Sequence, residues 1–149
     1  MGKIEVRRVI MGGLIAGAVI SVIDVALYGV ILKAPMAVAM QRLPPMPKEW
    51  QAIEVPWFVL VDLLAGILLV WLYAAIRPRF GARRRTAVIA GLAGWSFAGL
   101  LCNLIQLPNG FMPYNLVIIT TGVMLAQYVL AVVIGARFYT ERASAEVAA

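Results

Sequence analysis

Four long apolar runs, residues 9–32, 55–76, 86–107 and 111–136, occupy most of this 149-residue chain. A helix rising about 1.5 Å per residue needs about 20 residues to cross the hydrocarbon core of a bilayer, and each run meets that length. The runs are continuously apolar, without the alternation of barrel strands, so β-structure is excluded. The excess is too large for a water-soluble core: 63% of the residues are hydrophobic and 13% charged, against about half and about a quarter in ordinary soluble domains. The expectation is an all-α membrane protein with a single integral membrane domain over residues 1–149. Short links between the runs favour a four-transmembrane-helix, antiparallel up-down bundle. The first run follows a short basic start, but it is longer than the roughly 7–15 apolar residues of a secretory signal. It also carries an aspartate, and reads as an uncleaved first helix.

The net charge of +6 comes from 13 Lys+Arg against 7 Asp+Glu. The basic residues flank the apolar runs and are not interleaved with aromatics on a soluble face, so the partner they imply is the lipid bilayer and not nucleic acid. Lys3, Arg7 and Arg8, then Arg77, Arg79, Arg83, Arg84 and Arg85, then Arg137 and Arg142 fall on one side. Lys33, Arg42 and Lys48 fall on the other. Basic loops stay inside, so a multi-pass protein with both termini cytoplasmic is expected. Arg77, Arg79, Arg83, Arg84 and Arg85 read as a cytoplasmic topology and lipid anchor.

The connections are of different kinds. Residues 33–54 form the longest, with an apolar patch at 34–40 and prolines at 44, 45 and 47 that cannot continue a helix. Pro47 is placed to open a short helical turn in KEWQAIE, with Trp50 and Ile53 toward the membrane surface. At the second connection Pro78 disfavours helical geometry at Arg77, and Gly81 permits a left-handed turn, so the segment reads as a helix stop. A tight Pro108-Asn109-Gly110 turn leads into the fourth run.

The residues from Val70 to Gly81, VWLYAAIRPRFG, are followed by Thr86-Ala87 and Gly91-Leu92-Ala93-Gly94-Trp95. Together they resemble a family of small, uncharacterised four-helix bacterial integral membrane proteins that share a WLYAAIRPRFG…TA…AGL…W segment. Gly13-Leu14-Ile15-Ala16-Gly17 and the proline-rich first loop fit the same pattern. The resemblance spans most of the chain, with Arg77-Pro78-Arg79-Phe80-Gly81 its distinctive part. The family pattern often has Gly-Pro-Lys where this chain has Arg83-Arg84-Arg85. The resemblance implies the fold and a bacterial inner (cytoplasmic) membrane location. It implies no activity.

Chemistry is narrowed by what is missing. There is no histidine and one cysteine, Cys102. This removes His-ligated metals, bis-His haem, Ser-His and Cys-His nucleophiles, and a disulfide oxidoreductase. No cofactor, metal site or catalytic residue is expected, and the chain is not read as an enzyme. The polar residues inside the runs are therefore the place to look. Asp24 and Asp62 each lie about 10–12 Å inside the same edge of the bilayer at 1.5 Å per residue. Asn103 and Gln106 belong near that edge. Gln127 belongs to the other half.

At 100° per residue, Gly13, Gly17, Ser21 and Asp24 share a face of the first helix. Asp62, Gly66 and Tyr73 share one of the second, and Ser96, Gly99, Asn103 and Gln106 one of the third. Small-residue stripes pack helices closely, so these faces should meet and gather Asp24, Asp62, Asn103 and Gln106 into one polar cluster. No Lys or Arg lies in any run to neutralise the aspartates. Three readings stand: the pair carries protons or a cation; it hydrogen-bonds Asn103, Gln106 or Tyr28 and fixes helix register; or water from the edge solvates it. The functional expectation is a non-catalytic structural or accessory module, forming a homo-oligomer or joining a larger membrane complex. The alternative is a small proton- or cation-coupled transporter using Asp24 and Asp62.

Overall fold

The computed structural model describes residues 4–41, 43–110 and 112–139. Lys3, Arg42, Phe111 and the segment 140–149, with Arg142, lie outside the described residues. The described residues are mostly helical, and no strand occurs among them. The helices are α1 (Val6–Ala26), α2 (Lys33–Met40), α3 (Lys48–Gln51), α4 (Glu54–Phe80), α5 (Arg84–Trp95), α6 (Cys102–Gln106) and α7 (Tyr114–Gly135). A π-helical turn, Leu27–Ile31, extends α1, and a second, Ser96–Leu101, joins α5 to α6. Four helical stretches are long and apolar enough to cross a membrane: Val6–Ile31, Glu54–Phe80, Arg84–Asn109 and Tyr114–Gly135.

Only 17–33% of each span's apolar window is buried inside the bundle. Large side chains such as Val22, Phe58, Leu68, Phe97 and Ile118 point outward. Exposing so much apolar surface to water would cost about 25 cal/mol per Å², whereas lipid tails accept it. The membrane setting thus follows from the outer surface as well as from the runs themselves.

The helix boundaries follow from local chemistry. At the start of α1, the Arg8 and Val9 amides both donate to the Glu5 carbonyl, and the Arg8 side chain pairs with the Glu5 carboxylate at 2.8 Å. α4 does not stop at Arg77. It runs through Pro78 to Phe80 and ends where Gly81 takes φ +82°, which favours glycine. Proline lacks the amide that would bond back one turn and crowds the preceding carbonyls, yet the helix tolerates it here, in its last turn. The Gly81 amide still closes on the Arg77 carbonyl at 2.8 Å.

α7 begins three residues later than the start of the apolar run. Pro113 holds an extended conformation before it and disfavours helical geometry at Met112. Gly110 takes the left-handed conformation that ends the preceding 3-10 turn, Leu107–Asn109. The first loop does contain the turn opened by Pro47, as α3. It also contains α2, whose Ala39 packs with Leu27, Leu32 and Leu116 over that end of the bundle.

Glycine brings α1 and α4 into backbone contact. A Cβ at Gly17 would lie 2.5 Å from the Leu63 Cα and 2.8 Å from the Asp62 carbonyl oxygen. A Cβ at Gly66 would collide with the backbone of Gly13 and Gly17. This is close packing of small residues across a seam. α1 meets α7 through Gly12 and Gly135, where an added Cβ at Gly12 would reach 2.7 Å from the Gly135 carbonyl oxygen. α5 meets α7 through Gly91, beside Val129. The main core lies among these helices and includes Ala16, Ile20, Val70, Tyr73, Ala90 and Val132.

Candidate intramembrane polar site

The α1–α4 seam sets the first half of the site. One turn beyond Gly17, the Ser21 hydroxyl donates to the Asp62 carboxylate at 2.8 Å across the seam. Asp24 follows on the same face and lies near enough to Asp62 for each carboxyl to feel the other. Both side chains are half-buried. The stripe Gly13, Gly17, Ser21 and Asp24 therefore faces α4, where Gly66 and Asp62 receive it.

The second half comes from α7. The Gln127 amide nitrogen donates to the Ile20 carbonyl at 3.2 Å, and its side chain also interacts with Asp24. Gln127 is 2% exposed, and its Oε1 has no hydrogen-bond partner. Tyr28, on the π turn of the first span, and Tyr128, on α7, are near enough to feel the charge of both aspartates. The site is thus a set of oxygen-rich groups held by α1, α4 and α7. Asp24 lies seven residues from the end of its span at Ile31, or about 10 Å at 1.5 Å per residue. Gln127 enters at the level of Ile20, about one turn deeper.

Asn103 and Gln106 go elsewhere. The Asn103 amide donates to the Thr121 hydroxyl at 2.7 Å, and that hydroxyl donates to the Val117 carbonyl at 2.6 Å. From about two turns earlier on the third span, the Trp95 indole donates to the Thr121 carbonyl at 2.9 Å. These bonds fasten the third span to α7. Gln106 is exposed at the end of α6. The structure therefore brings Asp24 and Asp62 together, adds Ser21 and Gln127, and assigns Asn103 to a separate pair.

The arginine junction divides as well. Arg77 and Arg79 occupy the last turn of α4, where positive charge complements the negative end of the helix dipole. The Arg77 guanidinium lies 5.4 Å from the Tyr139 ring centroid. Tyr139 is itself buried edge-on against Tyr73, with centroids 6.1 Å apart. Arg83 caps α5 by position, and Arg84 and Arg85 sit in its first turn, exposed. There the helix dipole opposes them.

Thr86 closes the junction from inside. Its hydroxyl donates to the Gly81 carbonyl at 2.7 Å while the residue is 1% exposed. Within the resembling segment, Thr86 is thus a buried latch on the turn at Gly81.

Comparison with known proteins adds no identity: no family model, no curated protein and no solved structure matches this chain.

Proposed function

We propose that the chain is a non-catalytic integral membrane module, a structural or accessory element that packs against itself or against a larger membrane complex. The observation that carries this reading is the glycine seam. Gly13, Gly17 and Gly66 bring α1 and α4 into backbone contact, and the Ser21–Asp62 bond fixes their register. A unit locked in this way keeps its outer apolar faces free for lipid or for other helices. The order of contacts supports an up-down antiparallel course. Gly17 lies by Leu63, Gly12 by Gly135 and Gly91 by Val129, while Ser21 bonds Asp62 and Ile20 bonds Gln127.

A bacterial inner-membrane setting with cytoplasmic termini is supported by the arginines. Arg77 and Tyr139 meet at the end where Ile4, Val9 and Ala87 also pack, which is the end expected to lie inside. The test is an affinity pull-down of the full chain in mild detergent, read by mass spectrometry. The module reading predicts a defined assembly; recovery of the single chain alone would count against it.

A second reading, a small proton- or cation-coupled transporter, is favoured by two half-buried carboxyls, Asp24 and Asp62, lying near one another inside the spans. Ionisable residues inside a membrane often mark such pathways. Flux into reconstituted vesicles, lost in Asp24→Asn and Asp62→Asn, would support it; a wild type without flux would dismiss it.

A further inference from the structure

The seam between α5 and α7 leaves an open groove on the outer surface of the bundle. Its volume is about 450 Å³, and its almost wholly apolar wall includes Leu92, Gly122, Leu125, Ala126, Val129 and Val133. Val133 lies eleven residues beyond Gly122, or about 16 Å at 1.5 Å per residue. One leaflet supplies about half of the roughly 30 Å hydrocarbon core. The groove is therefore as long as one leaflet's hydrocarbon is deep, which suits an acyl chain that starts at one end of it. A second groove, of about 300 Å³, continues the seam beyond Gly122, past Trp95, Leu104 and Tyr114. It reaches Leu107, in a turn without charge. The two grooves differ at their mouths.

The mouth of the larger groove is basic on both of its walls. Arg84 stands seven residues before Gly91, which faces Val129. Arg85 stands seven before Leu92, which lines the groove. Seven residues return to within about 20° of the same helix face, about 10 Å along the axis. Arg137 follows Val133 by four residues, in the turn that closes α7, where its amide bonds the Ile134 carbonyl at 3.1 Å. Gly91 lies beside Val129 and Trp95 bonds Thr121, so this pairing brings Arg84 and Arg85 to the same end as Arg137. All three are exposed. Among the described residues no ion pair with a carboxylate involves any of them.

We propose that the α5–α7 groove is a binding site for one anionic phospholipid, with an acyl chain along the groove and the phosphate held by Arg84, Arg85 and Arg137. Guanidinium groups pair two N–H donors with phosphate oxygens, and basic pockets between transmembrane helices take anionic headgroups. Charge also decides against a second copy of the chain as the occupant. A copy inserted in the same orientation brings its own arginine-rich end against these arginines, whereas a phosphate neutralises them. The inference goes beyond the module reading and stands without it.

The test is native mass spectrometry of the full chain released from nanodiscs of phosphatidylcholine that contain a minor fraction of phosphatidylglycerol. One retained phosphatidylglycerol per chain is expected, in preference to phosphatidylcholine. An arginine beside anionic lipid contributes about fivefold in affinity. Replacing Arg84, Arg85 and Arg137 together by glutamine should therefore lower the preference at least tenfold. Ala126→Phe fills the groove and leaves the arginines in place; it should lower phosphatidylglycerol retention severalfold. Equal retention of the two lipids by the wild type overturns the proposal. So does an undiminished preference in the arginine variant, or undiminished retention in Ala126→Phe.

A second measurement on the unaltered chain guards against variants that fail to fold. Phosphatidylglycerol carrying a photoreactive diazirine in its acyl chain is cross-linked in the same nanodiscs, and the labelled peptides are mapped. Labels concentrated at Leu92, Leu125, Ala126 and Val129 are expected, and excess unlabelled phosphatidylglycerol should displace them where phosphatidylcholine does not. Labels spread evenly over the four spans, or displaced equally by both lipids, mean a general solvating shell and overturn the site.

Discussion

Replacing Gly17 by alanine puts a methyl group where the α1–α4 seam has no space. The new Cβ would lie 2.5 Å from the Leu63 Cα, 2.8 Å from the Asp62 carbonyl oxygen and 3.1 Å from Leu63 Cδ2. Carbon atoms sit comfortably at about 3.5–4.0 Å, so the helices must part locally by about 1 Å. The first contact is with backbone, which cannot rotate away. Overpacking of this kind costs about 1–3 kcal/mol.

The parting also reaches the neighbouring bond. Ser21 is one turn from Gly17, and its 2.8 Å contact with Asp62 would stretch past hydrogen-bond range. Interhelical hydrogen bonds in membranes contribute about 0.6 kcal/mol on average. Alanine regains about 1 kcal/mol of helix propensity, so with the overpacking and the lost bond the net loss is about 0.6–2.6 kcal/mol.

Gly122→Ala supplies the control, since a Cβ there meets nothing within 4 Å. It gains the same propensity and should leave stability unchanged or slightly higher. Reversible unfolding of both variants in bicelles, followed by steric trapping, measures the difference. Equal stabilities for Gly17→Ala and Gly122→Ala would refute the close-seam reasoning.

Other substitutions test the remaining parts. Thr86→Val removes the latch on the Gly81 carbonyl, which still accepts the Arg83 amide at 3.0 Å, and should cost about 0.5–1.5 kcal/mol, the net worth of one hydrogen bond. Thr86→Ser should keep most of that stability in the same unfolding assay. A double-mutant cycle of Asn103→Leu and Thr121→Val should return a coupling of about 0.6 kcal/mol and no more than about 1.7; zero coupling would remove the bond between the third span and α7. Replacing Arg83, Arg84 and Arg85 by glutamine should invert or scramble a terminal topology reporter, because the basic bias between the two sides falls. An unchanged orientation would defeat the anchor assignment.

The apolar spans were legible in sequence because length and hydropathy alone decide whether a helix suits a bilayer. Their small-residue faces were legible too, since Gly13, Gly17, Ser21 and Asp24 follow from helical period. Register between helices was not. Gln127 looks, by its place in the fourth run, as though it belongs to the opposite half of the bundle. Only the meeting of Gly12 with Gly135 slides α7 until Gln127 stands beside Ile20 and Asp24. Asn103 shares a face with Gly99, as the period requires, but that face meets Thr121 and not the aspartates.

The two π turns leave no clear mark in the sequence, being adjustments of backbone to packing. Pro78 misleads for a related reason: its local preference against helix gives way to the continued turn that ends at Gly81. Thr86 carried a signal that was available, a threonine just after an arginine-rich turn. Its partner, the Gly81 carbonyl, becomes visible only when the turn closes.

The most direct test of the module assignment is the mass of the particle released from native membrane vesicles without detergent extraction. The chain is 16.2 kDa. The account predicts that it leaves the membrane at an integral multiple of that mass, or within a larger assembly of fixed stoichiometry. Gly17→Ala should weaken that assembly by loosening the unit that docks. Release of the wild type as a single 16.2 kDa chain would contradict the account.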